Sequence, residues 1–419
     1  MTTSVGSRLP ESVSEATKTP RRNTIPSMER FDVLVAGAGP AGSATAFRLA
    51  RAGARVLLAD RATFPRDKPC GGGLTLRAVK ELPVDVTPVV EDVVDRFEVR
   101  LEYRRRFVRG GDGPLCLMTQ RKRLDAHLAA AAASAGADFR DGVPLADLEL
   151  DDDGVTATVG GDRVRAKALV GADGVNGLTA RALGVGGRDL GVAFEGNCSY
   201  ERVDRERYEG RLVLEVGVVP GGYGWAFPKG DHVNFGIGGW EREGPRLRDH
   251  LRRLCAAHGI SSDALTDLRG YRLPMRRPDS GLTRGRALLV GDAAGLVDPL
   301  SGDGLYEAFV SARLATDAIL ELLEGRASDL EPYERETMRA LGPNAAASWS
   351  AKVALDRFPR LAFVVAPLAW PTVSRLVRGE IERPGQARGL ARAPLRVLKR
   401  LAANAGDRGA AFRSALPQS

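Results

Sequence analysis

The chain has 419 residues, enough for two domains or for one large domain that carries an insertion. Its hydrophobic content of 43% supports a packed core and argues against a disordered chain. The net charge of +8 arises from 61 basic and 53 acidic residues that interleave along the sequence. This charge pattern disfavours nucleic acid as the main partner, whereas anionic substrates or an anionic membrane surface remain compatible with it.

Cysteine and histidine usage argues against a metal site. The four cysteines form no CxxC pair and show no zinc-ligand spacing, and the four histidines are dispersed, so we predict no metal and a reduced, cytoplasmic protein. The cysteines are Cys70, Cys116, Cys198 and Cys255. Residues 1–29 are polar and lack the apolar stretch of a signal peptide, so we expect a disordered leader. The longest apolar run, residues 361–370, contains Pro367 and is predicted to be too short to span a bilayer.

Residues 31–60 have the pattern of a dinucleotide-binding strand–helix–strand unit. A short apolar strand is followed by Gly-Ala-Gly-Pro-Ala-Gly, a helix, a second strand and Asp60. In such a unit the first glycine allows a tight turn, the second lets the backbone approach a pyrophosphate, and the third permits close helix–strand packing. The helix N-terminus offers free amides to the phosphates, and the acidic residue accepts ribose hydroxyls. The predicted contacts are Gly37, Gly39, Ala41, Gly42, Asp60 and Arg61.

A second glycine-rich segment, residues 286–323, follows about 250 residues later. Its pattern predicts a strand, then a Gly-Asp pair, a loop and a helix. Asp292 follows the strand directly, where a carboxylate is well placed to accept hydroxyl hydrogen bonds. Pro299 begins a loop that opens the helix, whose free amides stabilise negative charge, and Gly302 and Gly304 let the backbone approach a flat ring. The two segments together, in this order, predict FAD as the cofactor.

Three consecutive glycines follow Cys70, at a large cost in backbone entropy. We therefore expect a flat or bulky group to approach Cys70, Gly71 and Gly72 closely. Two roles stay open for the Cys70 thiol. It packs beside the cofactor, or it takes part in the chemistry by donating a proton or forming a transient adduct.

Aromatic residues alternate along a predicted strand in Tyr223-Gly-Trp225-Ala-Phe227-Pro, so their side chains point to the same side. One interpretation is an aromatic wall for a long apolar substrate, in which Tyr223 and Trp225 lie beside the reacting groups. The other is an ordinary buried sheet face, since aromatic residues in strands usually belong to the core.

The order of the motifs GAGPAG, KPCGGG, GADG, YGWAFPK and GDAAGLVDPLSGDG resembles the geranylgeranyl reductase family over about residues 31–325. The resemblance implies the para-hydroxybenzoate hydroxylase-like flavoprotein fold and reduction of isoprenoid double bonds by hydride transfer from reduced FAD. FPRDKPCGGGLT is also similar to the branch that reduces the prenyl tail of menaquinone.

The same resemblance assigns roles to individual residues. It places Asp292 on the ribityl or ribose hydroxyls, the isoalloxazine against the glycines after Cys70, and Arg121 on the pyrophosphate, with Arg123 as a competing choice. It implies a positional role for Asp173 in the GADG turn.

We therefore predict an α/β fold with a Rossmann-like FAD-binding domain, an interleaved β-rich substrate domain and a helical C-terminal region. The predicted FAD-binding segments are residues 30–80, 119–192 and 276–326. The substrate domain takes residues 81–118 and 193–275, and the helical region takes residues 327–419.

Two rival functions use the same cofactor. A monooxygenase or halogenase would act on an aromatic or lipid substrate, but halogenases carry a related Trp-x-Trp-x-Ile-Pro strand, whereas this chain has Tyr223 first and Phe227 before the proline. Pro40 in the first glycine loop also favours a reductase. A flavin-carrying binding protein fits least, because it would need neither the KPCGGG loop nor the aromatic strand.

Several properties stay open at this stage. The electron donor is NADPH, NADH or ferredoxin, and the substrate head group, chain length, proton donor and oligomeric state are not specified by the sequence. Residues 391–403 form a predicted basic amphipathic helix, which either docks on a membrane or is a solvated terminal helix. The expected location is the cytoplasm, with or without peripheral attachment to the inner face of the cell membrane.

Overall fold

The computed structural model describes Met1 and residues 28–185, 188–277 and 280–386. The predicted leader, apart from its ends, and the predicted basic helix at residues 391–403 lie outside the described residues. The strands are, in chain order, β1 (Glu29–Ala36), β2 (Val56–Ala59), β3 (Gly73–Thr75), β4 (Asp92–Val94), β5 (Arg96–Leu101), β6 (Arg105–Gly110), β7 (Cys116–Met118), β8 (Asp138–Arg140), β9 (Leu145–Asp151), β10 (Gly154–Val159), β11 (Asp162–Gly171), β12 (Arg188–Ser199), β13 (Arg211–Val216), β14 (Tyr223–Lys229), β15 (His232–Trp240), β16 (Thr266–Arg276), β17 (Thr283–Arg284) and β18 (Ala287–Leu289). The α-helices are α1 (Pro40–Arg51), α2 (Leu76–Glu81), α3 (Arg121–Ser134), α4 (Thr179–Ala182), α5 (Leu247–Ala257), α6 (Leu305–Leu323), α7 (Glu331–Arg357) and α8 (Pro359–Val377).

The first sheet has the strand order β17-β18-β11-β1-β2-β8, and the five strands from β18 to β8 run parallel. The last four residues of β1 and all of β2 are buried, as expected for parallel strands covered on both faces. Helices α1, α3 and α6 contribute Leu49, Ala132 and Ile319 to the same core. Strands β10 and β11 form an antiparallel hairpin, and its second arm continues as one strand to Gly171.

Parallel strands bring the two predicted cofactor segments to one edge of this sheet. Because β1, β2, β11 and β18 point the same way, the residues that follow their carboxyl ends are neighbours. These residues are Gly37, Asp60, Ala172 and Val290. The crevice outside this edge is the position at which open α/β sheets bind their ligands.

The second sheet has the order β16-β12-β15-β14-β13-β5-β6 and is antiparallel except for the parallel pair β13–β5. Strands β5 and β6 form an antiparallel hairpin at one end of this sheet. Helix α5 packs its Leu251 and Leu254 with Phe235 and Ile237 of β15. Strands β3, β7 and β4 form a small third sheet. The chain thus has the predicted α/β architecture. Strand β12 crosses the predicted domain limit at residues 192–193, and the domain limits stay predictions.

Helices α7 and α8 lie in the described part of the predicted helical C-terminal region. The apolar run at residues 361–370, which we predicted to be too short to span a bilayer, belongs to the longer helix α8, which continues through both Pro367 and Pro371. A proline removes one helical hydrogen bond, but packing holds this helix together across it. Its ring contacts are Phe363 with Phe107 and Trp370 with Phe97. Among the described residues α8 is the one helix whose length and composition would allow it to cross a membrane, a property that core helices of soluble proteins share.

Replacing Gly42 by alanine should destabilise the first strand–helix junction. The new Cβ would lie 1.8 Å from the carbonyl oxygen of Gly37, a backbone atom that cannot move aside. We expect the free energy of unfolding to fall by about 3 kcal/mol or more in chemical denaturation. Gly244→Ala is the matched control, because no atom lies within 4 Å of its added Cβ. Equal stability of the two variants would contradict this packing argument.

Candidate functional site

A single cavity of about 1050 Å³ runs along the edge of the first sheet. Gly37 and Gly39 from the first glycine segment and Asp292, Gly302 and Gly304 from the second all line it. The two segments therefore face the same crevice, as a shared cofactor requires. The volume exceeds the usual upper range of about 1000 Å³ for a pocket that holds one drug-sized ligand.

The first glycine turn is tight for reasons within the protein itself. Gly37 has φ +106°, and a Cβ there would lie 2.4 Å from the carbonyl oxygen of Ala172. Helix α1 then begins after Gly39, and no side chain caps its N-terminus. Ala41 of its first turn lines the cavity. Free amides at an uncapped helix N-terminus suit a phosphate group.

Asp60 holds the glycine turn as well as lining the cavity. Its Oδ2 accepts a hydrogen bond from the Ala38 N–H at 2.8 Å, and its Oδ1 accepts one from the Ala62 N–H at 2.9 Å. The carboxylate therefore ties the end of β2 to the turn after β1. Arg61 lies beside it on the cavity wall. The ribose contact of Asp60 stays a prediction.

Two arginines share one buried carboxylate on the cavity wall. Arg121 donates to both oxygens of Asp125, at 2.7 and 2.8 Å, and Arg66 Nη1 lies 2.9 Å from Asp125 Oδ2. Both arginines line the cavity. Together with the one Asp125 carboxylate, they give the cavity wall one net positive charge at this point. The competing Arg123 is exposed and binds Glu91 and the Pro88 carbonyl instead. Sequence reasoning assigned no role to Arg66, although this residue lies within the FPRDKPCGGGLT segment.

Asp292 is held by two partners that sequence reasoning did not identify. Lys68 Nζ and the Tyr271 hydroxyl both donate to its Oδ2, at 2.9 and 3.0 Å. Burial favours the neutral acid, but the Lys68 charge and these hydrogen bonds outweigh it and lower the pKa of Asp292. Asp292 is therefore a carboxylate that faces the cavity with Oδ1 near Gly304, whose added Cβ would lie 3.1 Å away.

The loop that begins at Pro299 is shaped by neighbouring acids. Asp298 accepts hydrogen bonds from the N–H groups of Leu300 and Ser301, at 3.0 and 2.8 Å. Asp303 lines the cavity, accepts the Leu305 N–H at 2.9 Å, and has its pKa raised by burial. Burial also raises the pKa of Glu307. Within the described ranges, no group of three or more His, Cys, Asp or Glu side chains is arranged to hold a metal ion.

The glycines after Cys70 are required by the protein's own packing. A Cβ at Gly71 would lie 2.7 Å from Cδ2 of Phe227, and one at Gly72, which has φ +81°, would lie 2.1 Å from the Thr119 carbonyl oxygen. All three residues of the predicted contact, Cys70 included, line the cavity. We expected a flat or bulky group close to these glycines. The Phe227 ring approaches Gly71 and the Thr119 backbone approaches Gly72, so both groups belong to the same chain.

Two buried charged residues fix the Cys70 backbone. Its N–H donates to Glu195 Oε1 at 2.8 Å, and its carbonyl oxygen accepts from Lys229 Nζ at 2.8 Å. The thiol sulfur accepts the Gly72 N–H at 3.4 Å. These contacts favour a positional role for Cys70. Glu195 and Lys229 lie on distant strands, so no local sequence signal marked them.

The aromatic residues of β14 lie on one side, as predicted. The ring centroids of Tyr223 and Trp225 are 6.1 Å apart, those of Trp225 and Phe227 are 6.2 Å apart, and all three residues line the cavity. Trp225 Nε1 donates to Asn234 Oδ1 at 2.8 Å, which fixes the indole. The Tyr223 hydroxyl donates to the Ser301 carbonyl oxygen and so connects β14 to the second glycine segment.

Beyond the aromatic strand the cavity becomes an apolar slot between the second sheet and helices α7 and α8. Its wall residues include Phe97, Val99, Leu212, Leu214, Phe363 and Trp370. Lys352 is a buried cation in this wall, where its Nζ donates to the Gly221 carbonyl oxygen and lies 4.5 Å from the centre of the Trp240 ring. Burial lowers its pKa to about 8. This half of the cavity carries no motif, and sequence reasoning missed it.

The residues present fit FAD. An uncapped helix N-terminus suits its pyrophosphate, carboxylates at strand ends suit its hydroxyls, and two glycine loops admit its flat ring. Residues 30–194 also match the FAD binding domain family. Fold and site together define an FAD-dependent oxidoreductase.

Sequence comparison gives the family. The chain is 32% identical over 338 residues to the chloroplastic geranylgeranyl diphosphate reductase of Oryza sativa subsp. japonica, with 75% of this chain and 71% of that protein covered. It is 34% identical over 311 residues to the menaquinone reductase of Mycolicibacterium smegmatis, with 69% and 76% covered. The chain belongs to the geranylgeranyl reductase family.

The fold is shared more widely than the family. A geranylgeranyl bacteriochlorophyll reductase-like protein from Thermoplasma acidophilum superposes with a TM-score of 0.75 at 22% identity, covering 93% of this chain and all of that chain. A myxobacterial chondrochloren halogenase superposes with a TM-score of 0.65 at 22% identity, covering 91% and 99%. At such identities the likeness concerns the fold alone.

Lys352 should make the stability of the protein depend on pH in the alkaline range. Its pKa is about 8 in the folded state and 10.5 when unperturbed, so the unfolded chain binds this proton more tightly. Stability should therefore rise as the pH increases from about 8 to about 10, by on the order of 3 kcal/mol. Lys352→Met should abolish that rise in urea denaturation, whereas Lys122→Met, on the exposed side of α3, should keep it. An unchanged rise in Lys352→Met would refute the assignment.

Proposed function

We propose that this oxidoreductase reduces carbon–carbon double bonds of an isoprenoid chain, either in a geranylgeranyl lipid or in the tail of a menaquinone. The observation that carries the proposal is the continuity of one cavity from the two glycine segments to an apolar slot beside β14. The names of the two relatives, a geranylgeranyl diphosphate reductase and a menaquinone reductase, support the same substrate class.

In this proposal the first sheet holds the cofactor. The α1 N-terminus and Arg121 bind the pyrophosphate, Asp60 and Asp292 accept hydroxyl hydrogen bonds, and the loop from Pro299 to Gly304 contacts the ring. When bound and reduced, FAD supplies a hydride. Lys68 and Tyr271 keep Asp292 ionised and correctly oriented through their hydrogen bonds to its Oδ2.

The second sheet and the helical region orient the substrate. Tyr223 and Trp225 form the wall next to the second glycine segment, and the apolar slot excludes water from the chain of the substrate. An isolated alkene is a poor hydride acceptor, so close and oriented placement has to lower the barrier. Proximity and orientation supply up to about 7–11 kcal/mol in favourable cases.

Asp303 is our candidate for the acid that protonates the second alkene carbon. Its carboxyl lies in the cavity wall at the start of α6, and burial raises its pKa, which favours the protonated form. Cys70 is the rival. Its backbone is fixed on both sides, and its thiol accepts the Gly72 N–H.

A prenyl substrate also suggests where the protein works. We propose a cytoplasmic protein that associates peripherally with the inner face of the cell membrane, since long isoprenoid chains reside in bilayers. The basic net charge of +8 is compatible with an anionic surface.

The reaction class is tested without dioxygen. FAD-loaded protein reduced by dithionite should convert a prenylated acceptor to products that gain two hydrogens per reduced bond, as measured by lipid mass spectrometry. A halogenase or monooxygenase would be inactive under these conditions, because its chemistry consumes dioxygen. Reduction of the flavin without any change in geranylgeranyl lipids or menaquinones would refute the proposed function.

Replacing Asp303 by asparagine should separate the two candidate acids. Asparagine retains an oxygen that accepts the Leu305 N–H but cannot deliver a proton, so we expect kcat to fall about 100-fold or more. In the wild type, kcat should decrease as the pH rises and Asp303 loses its proton, and this limb should be absent in Asp303→Asn. Cys70→Ser should retain kcat within about threefold of the wild type. The reverse pattern would make Cys70 the acid.

A further inference from the structure

Helix α8 exposes a strip of large apolar side chains. Leu361, Val364 and Leu368 are 43%, 61% and 65% exposed, and their spacing of three and four residues places them on one face. Scattered surface leucines are ordinary, but a continuous strip along one helix marks a contact surface. We call these three residues the outer strip.

The opposite face of α8 covers the apolar slot. Ala362 and Ala369 are buried and line the slot, while Phe363 and Trp370 contact Phe107 and Phe97 of the β5–β6 hairpin. The helix is therefore apolar around most of its circumference. One helix thickness separates the slot from the outer strip.

Basic residues surround the outer strip. Helix α8 contains no acidic residue, and arginines occupy exposed positions just before its start, near its start and near its end. Strand alternation also places Arg105 and Arg109 on the side of β6 that carries Phe107 and faces α8. These arginines are Arg357, Arg360, Arg375, Arg105 and Arg109.

Two acids lie near these arginines. Arg360 lies 3.3 Å from Glu102, and Arg375 lies 3.6 Å from Glu380. These two carboxylates offset two of the five arginine charges, so the surface keeps a net positive charge. An apolar strip with a basic border is complementary to the interface of an anionic phospholipid bilayer, where alkyl chains lie beneath a layer of phosphates.

We propose that α8 docks the protein on an anionic phospholipid membrane, with the helix parallel to the surface and the outer strip inserted between the lipids. Helix α8 does not cross the membrane, because its inner face is packed on Phe97 and Phe107. The purpose that we assign to this docking rests on the proposed function. Docking would place the slot, covered by the inner face of α8, directly beside the source of a prenylated lipid.

Vesicle flotation of the full-length, FAD-loaded protein tests the surface. We expect the wild type to float with vesicles of phosphatidylcholine and phosphatidylglycerol, and much less with phosphatidylcholine alone. Changing the outer strip to serine (Leu361→Ser, Val364→Ser, Leu368→Ser) should lower the partition coefficient on the order of 100-fold, since each side chain loses a several-fold contribution. The matched control is Val93→Ser with Leu268→Ser, two other exposed apolar residues, and it should float like the wild type.

A second pair of changes tests the charge complementarity. Arg357→Gln and Arg375→Gln should each lower binding to the anionic vesicles about fivefold, with little effect on the weak binding to neutral ones. Flavin absorbance of each variant verifies that the protein is folded and loaded.

Three outcomes would overturn the proposal. The first is a serine variant that floats as the wild type does, and the second is a wild type that binds neither vesicle. The third is a wild-type dimer that the serine variant converts to a monomer while flotation stays unchanged, because the outer strip would then bind a second copy. Reduction of a short prenyl acceptor dispersed in detergent needs no membrane. Its failure with normal flotation would refute the proposed function alone, and its success without flotation would refute the docking surface alone.

Discussion

The close backbone contact between the first glycine turn and the turn after β11 supports the rest of the site. Gly37 lies so near Ala172, and Gly42 so near Gly37, that a single Cβ at either glycine would overlap a backbone oxygen. This contact sets the distance between β1, β11 and α1, and hence the width of the crevice at the carboxyl edge of the sheet. The Asp60 carboxylate adds a fixed connection from β2 to the same turn. The uncapped α1 N-terminus is thereby aimed at the crevice with little freedom to move.

An ion pair forms a second connection, across the crevice. Lys68 belongs to the loop that carries Cys70, whereas Asp292 belongs to the second glycine segment, and their side chains meet at 2.9 Å. On the other side of this loop, Glu195 and Lys229 hold the Cys70 peptide from the second sheet. The loop is therefore fixed to both sheets at once. Loss of either connection would change the position of the loop relative to Gly302 and Gly304, even if each sheet kept its own structure.

Local patterns made part of this site predictable. The glycine turns, the acidic residues after strands and the shared side of Tyr223, Trp225 and Phe227 follow from spacings of a few residues. The structure places them on one cavity, except for Gly42, which packs against Gly37 instead. The partners of Lys68 and Cys70 lie more than 100 residues away in sequence, so no local pattern indicated these contacts. The extent of α8 does not follow from local propensity, because tertiary packing holds the helix together across Pro367, where propensity alone disfavours a helix.

The apolar slot and the cofactor half of the cavity are specified by the sequence in different ways. A pyrophosphate and its hydroxyls are recognised by directional hydrogen bonds, which require particular residues at particular positions and therefore leave motifs. An isoprenoid chain presents only apolar surface, and many combinations of Phe, Leu, Val and Trp fill the same volume equally well. The slot between the second sheet and α8 is consequently defined by shape and by the exclusion of water. Among the described wall residues beyond β14, Lys352 is the one buried cation. Its Nζ donates to the Gly221 carbonyl oxygen and lies over the Trp240 ring, so the charge is bound within the protein and the slot is effectively apolar.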